Sequence, residues 1–349
     1  MIGLSRRSAR LLTLAAAGLT SIAFARDLLR RRRRIDLRDC VAVVTGGSRG
    51  LGLLIAEELG RRGARVAICG RDLEALTRAA RRLETLGIEV HAEALDLGAR
   101  AEAEAFIDGV VRRFGRIDVL VNNAGVIQVA PVEDLGVEGF EEAMRSNFWS
   151  AAHVTLRALP HLKARGRGAR LVNITSIGGR VAVPHLLSYS ASKFAMMGLS
   201  EGLRAELSSS GVAVTTVVPG PMRTGSIYNA AFAGDAQREF AWFGVLASLP
   251  IATINARRAA RRVVRATLEG RAEVRLGLAA HALTLARALL PQLTIRALGL
   301  AATFLPDPRG QHEARRGRDL GSSLASSPFL RLSNRAAHHH NESPPRHAR

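Results

Sequence analysis

The sequence predicts an α/β fold, a doubly wound parallel sheet with helices on both faces. Three observations carry this reading. From residue 41 short β-branched runs alternate with stretches of helical periodicity, the pattern of a parallel sheet whose crossovers are helices. A glycine-rich turn, "TGGSRGLG" (45–52), joins the first run to the first helical stretch. The residues that bear chemistry fall at the C-terminal ends of the runs, where sheets of this kind bind their ligands.

The elements follow in order. "CVAVVT" (40–45) is the first strand, and "LGLLIAEELGRRG" (51–63) is a helix closed by glycine. "ARVAIC" (64–69) is a strand, "DLEALTRAARRLETLG" (72–87) a helix ending at Gly87, "IEVHAEAL" (88–95) an alternating strand and "RAEAEAFIDGVVRRFG" (100–115) a helix. "IDVLVNN" (117–123), "ARLVNITS" (169–176), "VAVTTVVPG" (212–220) and "EVRLG" (273–277) are further strands, with helical stretches near 133–162 and 188–210. Four segments result: a basic 1–39 with a short apolar anchor candidate, a catalytic domain over 40–277, an apolar helical extension over 278–306 and a polar tail over 307–349. The tail is predicted to be disordered. The extension is interrupted by Arg287, Pro291 and Arg296, so it holds no uncharged run of 18 residues. It reads as two short helices that dock on the rest of the domain, on a second subunit or on a bilayer surface.

Composition narrows the function. At 47% hydrophobic the 349-residue chain can bury a core. Of its net +20, +7 lies in residues 1–39 (ten Arg, three Asp) and +4 in residues 307–349 (eight Arg, four acids). Such termini suit a membrane surface or nucleic acid. Aromatics are only 4% of residues and no nucleic-acid-binding signature is present, so nucleic acid is not the expected partner. The two cysteines, Cys40 and Cys69, give no metal-ligand spacing and would lie at opposite ends of neighbouring strands, too far apart to bridge. No metal site is expected. "LLTLAAAGLTSIAFA" (11–25) is fifteen residues without a charge, short of the roughly 20 that span a bilayer. Arg6, Arg7 and Arg10 precede it; Arg26, Arg30 to Arg34 and Arg38 follow. The heavier basic flank on the domain's side predicts a membrane-associated enzyme with a cytoplasmic catalytic domain. A soluble cytoplasmic protein and a cleaved export signal ("SRRSAR", "AFA") are the alternatives.

The glycine turn and the end of the second strand speak for a nucleotide. Gly46, Gly50 and Gly52 permit a tight turn, and the helix start beyond them offers free N–H groups to a pyrophosphate. An acid at the tip of the second strand would accept a ribose 2′-hydroxyl. Here the strand ends Cys69-Gly70-Arg71, and Arg49 lies inside the turn. Two arginines at that place favour a 2′-phosphate, hence NADP(H) over NAD(H). Asp72 follows at once and tempers the preference.

"SYSASKFAMMG" (188–198) holds Tyr189 and Lys193 four residues apart, on one helix face. Of 50 basic residues only Lys163 and Lys193 are lysines. An adjacent ammonium favours phenolate and is expected to lower the phenol's pKa, so that Tyr189 can exchange a proton with a carbonyl oxygen. Ser176, at the end of its strand, would hydrogen-bond the same oxygen. Lysine's rotatable donors suit this place better than arginine's fixed fork. "TGGSRGLG", "NNAG" (122–125), Asn147, Ser176, "YSASK" (189–193) and "PGPMRT" (219–224) stand in the order of the classical short-chain dehydrogenases/reductases, which the chain resembles over about residues 40–277. The resemblance implies a Rossmann-like domain with a seven-stranded sheet and a nicotinamide cofactor. It implies that Asn147 holds a water linking Lys193 to solvent, and that Lys193 also bonds the cofactor ribose. Asp96 and Leu97 would flank the adenine, Asn123, Ala124 and Gly125 would line the cofactor, and Pro219, Gly220 and Thr224 would hold the nicotinamide. Ser48 and Leu51 join the cofactor set with the rest of the glycine turn, as does Tyr189.

After Thr224, residues 228–243 hold Tyr228, Phe232, Phe240, Trp242 and Phe243. In the resembled family this segment covers the substrate. Its aromatics either line a pocket for an apolar substrate (a lipid, steroid, retinoid or fatty aldehyde) or pack the segment onto the core. The expected function is NADP(H)-dependent interconversion of a carbonyl and an alcohol on such a substrate. A 3-oxoacyl thioester reductase and a non-catalytic NADP-binding scaffold are the alternatives, and a homo-oligomer is compatible with all three.

Overall fold

A computed structural model describes residues 34–249, 253–320 and 331–342. Seven parallel strands form the central sheet: β1 (Val41–Thr45), β2 (Arg65–Gly70), β3 (Val90–Ala94), β4 (Val119–Asn122), β5 (Arg170–Ile174), β6 (Ala213–Pro219) and β7 (Glu273–Leu276). Their spatial order is β7-β6-β5-β4-β1-β2-β3. The order reverses at β1, so the loops after β1 and β4 diverge and leave a crevice at their C-terminal ends.

Side chains alternate across each strand. Ala42 and Val44 of β1 face one core cluster, with α1 (Gly50–Gly60) and α2 (Leu73–Thr85). Val41 and Val43 face the other, with α3 (Arg100–Phe114). α4 (Gly136–Met144) leads without a break through a π-helical turn at 145–149 into α5 (Ser150–Arg165). α5 and α6 (Leu187–Glu206) join α3 on its face, while α8 (Ala256–Leu268) covers the side of α1. Both faces of the sheet are therefore covered, which accounts for strands that read as near-continuous apolar runs. A buried polar ladder ties the centre together. Asn122 Nδ2 donates to Thr155 Oγ1 (2.7 Å) and to Asn173 Oδ1 (2.9 Å), and Asn173 Nδ2 donates to Ser200 Oγ (2.9 Å). Cys40 and Cys69 are free and buried, and burial pushes the Cys69 thiol up to about 12.

The segment after β6 contains α7 (Ala236–Ser248). Its aromatics pack on one another: Phe232 and Phe240 meet at 5.5 Å, Tyr228 and Phe240 at 5.9 Å, Trp242 and Phe243 at 5.7 Å. Tyr228, Phe232 and Phe240 are fully buried, so these three form the core of the lid. The Glu239 carboxylate, also buried, bonds Nδ1 of His185 (2.8 Å) and accepts from the Trp242 indole (2.6 Å), tying the lid to the loop before α6.

The apolar extension forms two helices, α9 (Leu278–Leu289) and α10 (Pro291–Ala302), with proline at the first position of the second. Leu278, Leu289, Leu293, Leu300 and Phe304 are all exposed, so these side chains are not docked on the domain. The expectation of disorder over 307–349 is overturned for the described part of the tail. Arg315–Arg316 pair antiparallel with Ala231–Phe232, and Arg331–His339 form α11. Glu342 beyond it is buried. These contacts run through main-chain groups, the Asn334 and Asn341 amides and the Glu342 carboxylate, which polar composition does not reveal. The anchor candidate at 11–25, and nearly all of the basic segment 1–39, lie outside the described residues. No helix among the described residues is long and apolar enough to cross a membrane.

Candidate active site

The glycine turn is shaped by close approach. Gly46 and Gly50 adopt φ of +62° and +55°, a region that L side chains disfavour. A Cβ on Gly52 would collide with the Gly46 carbonyl oxygen and with Nδ2 of Asn123. The Asn123 amide donates to the Thr45 and Gly46 carbonyls (3.0 and 3.2 Å), fastening the loop after β4 to the turn. Beside the turn opens a cleft of about 630 Å³. Thirteen of the seventeen expected cofactor residues line it: Gly46, Ser48, Arg49, Gly50, Leu51, Gly52, Arg71, Asp96, Leu97, Asn123, Ala124, Gly125 and Thr224. Pro219, Gly220, Tyr189 and Lys193 do not. The Asn229 amide nitrogen, which belongs to a residue of the cleft wall, is buried without a partner among the described residues. A helix start at the turn, closely approached glycines and an orphaned donor fit a dinucleotide.

The electrostatics at the β2 end are more evenly balanced than the sequence indicated. Arg49 donates to Asn229 Oδ1 (2.7 Å) and to Asp72 Oδ2 (2.8 Å), while Asp72 caps α2 by accepting from the Ala75 N–H (3.0 Å). Arg71 lies 3.5 Å from Glu142 Oε1. Asp96 is fixed by Arg145 (2.5 Å) and the Gly98 N–H (3.0 Å), and these partners hold its carboxyl below the usual range against the opposing effect of burial. Sequence reasoning missed two further cations on the cleft wall, Arg316 and Arg318, delivered by the tail strand that pairs with the lid. Partial desolvation at the cleft and then the charges of Arg318, Arg71 and Arg49 hold solvent-exposed Arg316 below the usual arginine range. Among the described residues Arg316 has no ion-pair partner. Their only signal in sequence was the basic character of a segment read as disordered.

The expected catalytic residues converge near Gly125 and Gly178. Asn147 sits in the π-helical turn, a local widening and under-winding that re-aims side chains. Its Oδ1 accepts from the Val126 N–H (2.8 Å) and its Nδ2 donates to Ser192 Oγ (2.9 Å). A Cβ at Gly125 would strike Asn147 Oδ1 and come within 3.4 Å of Lys193 Nζ. Lys193 Nζ donates to the Ile174 carbonyl (3.2 Å) and stands 5.8 Å from the Tyr189 ring centroid. Ser176 Oγ accepts from the Gly178 N–H (3.0 Å), and a Cβ at Gly178 would lie 3.4 Å from that oxygen and 3.2 Å from the Tyr189 ring. The expected lowering of the phenol pKa is not found. Burial raises it, and Ser176 only partly opposes this. Burial also brings the Lys193 amine down to about 8. Both shifts have one cause, the cost of a charge in an apolar surround.

Comparison with known proteins places the chain in a family. The family model described as short chain dehydrogenase matches residues 40–231. A Mycobacterium tuberculosis protein that carries the oxidoreductase name SadH is 35% identical over 245 residues, 69% of this chain and 87% of that one. A Streptomyces coelicolor protein that carries a ketoacyl reductase name is 38% identical over 186 residues, 53% of this chain and 71% of that one. Among solved structures, a short chain dehydrogenase from Mycobacterium paratuberculosis bound to NAD superposes with a TM-score of 0.63 at 25% identity, covering 71% of this chain and all of that one.

Proposed function

The chain belongs to the short chain dehydrogenases, NAD(P)-dependent oxidoreductases, and on that premise we propose that it interconverts a carbonyl and an alcohol on an apolar substrate with NADP(H). One observation carries the reading: Ser176 and Tyr189 meet across Gly178, against the apolar cluster of the lid. When bound, the nicotinamide cofactor supplies or accepts the hydride at carbon. In reduction the Tyr189 hydroxyl gives its proton to the substrate oxygen, and the raised phenol pKa keeps that proton in place near neutrality. Ser176 hydrogen-bonds the same oxygen as it gains charge. Lys193 steadies the phenolate left behind until a proton returns from solvent, along the path that Asn147 borders. In oxidation each proton moves the other way.

Arg49, Arg71, Arg316 and Arg318 on one wall against Asp72 and Glu142 support a 2′-phosphate. An apolar substrate is supported by Ile127, Val183, Trp242 and Phe243, which join half-buried Tyr189 around the lid core. A 3-oxoacyl thioester reductase is the second reading, favoured by the Streptomyces coelicolor relative. The leucines exposed on α9 and α10, in a segment with no acid between 278 and 306, support residence at a membrane surface. The test is NADPH oxidation across aldehydes, steroids, retinoids and 3-oxoacyl thioesters. The active pair is then repeated with Tyr189→Phe, which should lose at least about a hundredfold in kcat and keep cofactor affinity. Turnover within tenfold of wild type would sink the mechanism.

A further inference from the structure

The tail helix α11 and the three residues after it sit on the pyrophosphate end of the cleft. The His340 carbonyl accepts from the Gly50 N–H (2.9 Å), the N–H at the start of α1. Asn341, held at φ +59°, donates to the Ser48 and Ala75 carbonyls (2.7 and 2.8 Å) and accepts from Arg78 (3.0 Å). Arg82 donates to the His339 carbonyl (2.7 Å). The Glu342 side chain bridges the two walls. Its Oε2 accepts from the Gly225 N–H, next to Thr224, and its Oε1 lies 2.8 Å from where a Cβ on Gly50 would stand. Glu342 is 4% exposed, and Ala337 behind it is fully buried against Gly225. Asn334 accepts from the Tyr228 hydroxyl of the lid.

A carboxylate of this chain thus occupies the place where the glycine turn offers its amides to an anion. The same residue separates that turn from the loop after Thr224. We propose that residues 331–342 are a built-in competitor of the dinucleotide, and that cofactor binds only the fraction of molecules from which this segment has withdrawn. The proposal rests on reading the cleft as the dinucleotide site. Apparent affinity then equals intrinsic affinity scaled by that fraction. The contacts favour a displaceable plug. Two of them, at the Gly50 and Gly225 N–H groups, are to main-chain donors that an anion satisfies equally well. The carboxylate itself is poorly solvated, with burial lifting it to about 7 against the pull of the Gly225 N–H and Arg49.

The experiment uses the full chain. Wild type and the double variant Asn341→Ala, Glu342→Ala are titrated with NADPH and, separately, NADH, following nucleotide fluorescence. Amide hydrogen exchange of 331–342 is measured in wild type with and without each dinucleotide. The expected result is about tenfold or more tighter binding of both dinucleotides by the variant, and faster exchange of 331–342 when wild type is loaded. Equal, measurable affinities in the two proteins, or tail amides that stay protected in the loaded enzyme, overturn the competition and leave the cofactor site standing. Absence of dinucleotide binding to either protein overturns the site and the competition together.

Discussion

Arg316→Gln tests the charge balance of the cleft most directly. Arg49 is already committed to Asp72 and Asn229, and Arg71 lies beside Glu142. A 2′-phosphate therefore competes with a carboxylate for each of them. Arg316 lines the same cleft without an ion-pair partner among the described residues, so its charge is the one a phosphate gains in full. A hydrogen bond to a charged group contributes about 1.5–3 kcal/mol. Arg316 is exposed, and screening brings that figure down to about 1 kcal/mol. One kcal/mol corresponds to roughly a fivefold change in Kd. Arg316→Gln should therefore weaken NADPH about fivefold, leave NADH unchanged, and lower the salt dependence of NADPH binding. Arg49→Gln leaves the Asp72 carboxylate unpaired in the same cleft, so it should weaken NADPH by more than the loss of its own bond to the phosphate. Fluorescence titrations of both nucleotides at low and physiological salt give the four numbers. Equal weakening of NADPH and NADH, or none of either, would refute the assignment of Arg316 to the 2′-phosphate.

Two further outcomes follow. With the Lys193 amine at about 8, it carries its proton below that pH and loses it above. If the ammonium supports Tyr189, kcat/KM for reduction, which reports the free enzyme, should fall as pH rises through about 8; a profile level to pH 10 would remove the amine from the reaction. Asn173→Ala breaks the buried ladder between Asn122 and Ser200. Two lost bonds, with Asn122 keeping Thr155 and Ser200 keeping Thr216 as partners, should cost about 1–3 kcal/mol in urea unfolding, and a loss below about 0.5 kcal/mol would mean that the ladder is solvated or re-pairs.

What the sequence disclosed and what it hid divide along one physical line. The inner strands β1, β2, β4 and β6 announced themselves because a sheet covered on both faces demands near-continuous apolar runs, while the edge strands β3 and β7 alternate. Gly46, Gly50 and Gly52 were legible because a backbone that must turn tightly and meet Ala124 and Asn123 closely admits no side chain. Tyr189, Lys193 and Ser176 were legible because their chemistry fixes residue type and spacing together. Several of the residues that escaped are placed by groups that every residue carries. His340 uses its carbonyl and Arg316 a two-residue strand pairing, and neither leaves a periodic trace. Ionisation escaped for a related reason. The spacing of Tyr189 and Lys193 says that a phenol and an amine share a helix face, and from that alone the phenol's pKa should fall. Desolvation depends on what the lid and β5 bring around them, which lies in other parts of the chain. It raises the phenol and lowers the amine together. Asp72 shows the same limit from the other side. Its position after β2 argued mildly against a 2′-phosphate, yet in the fold it caps α2 and holds Arg49, so its charge acts on the nucleotide only through that pair. The proposed preference for NADP(H) therefore turns on the tail arginines, in a segment that composition alone would have set aside.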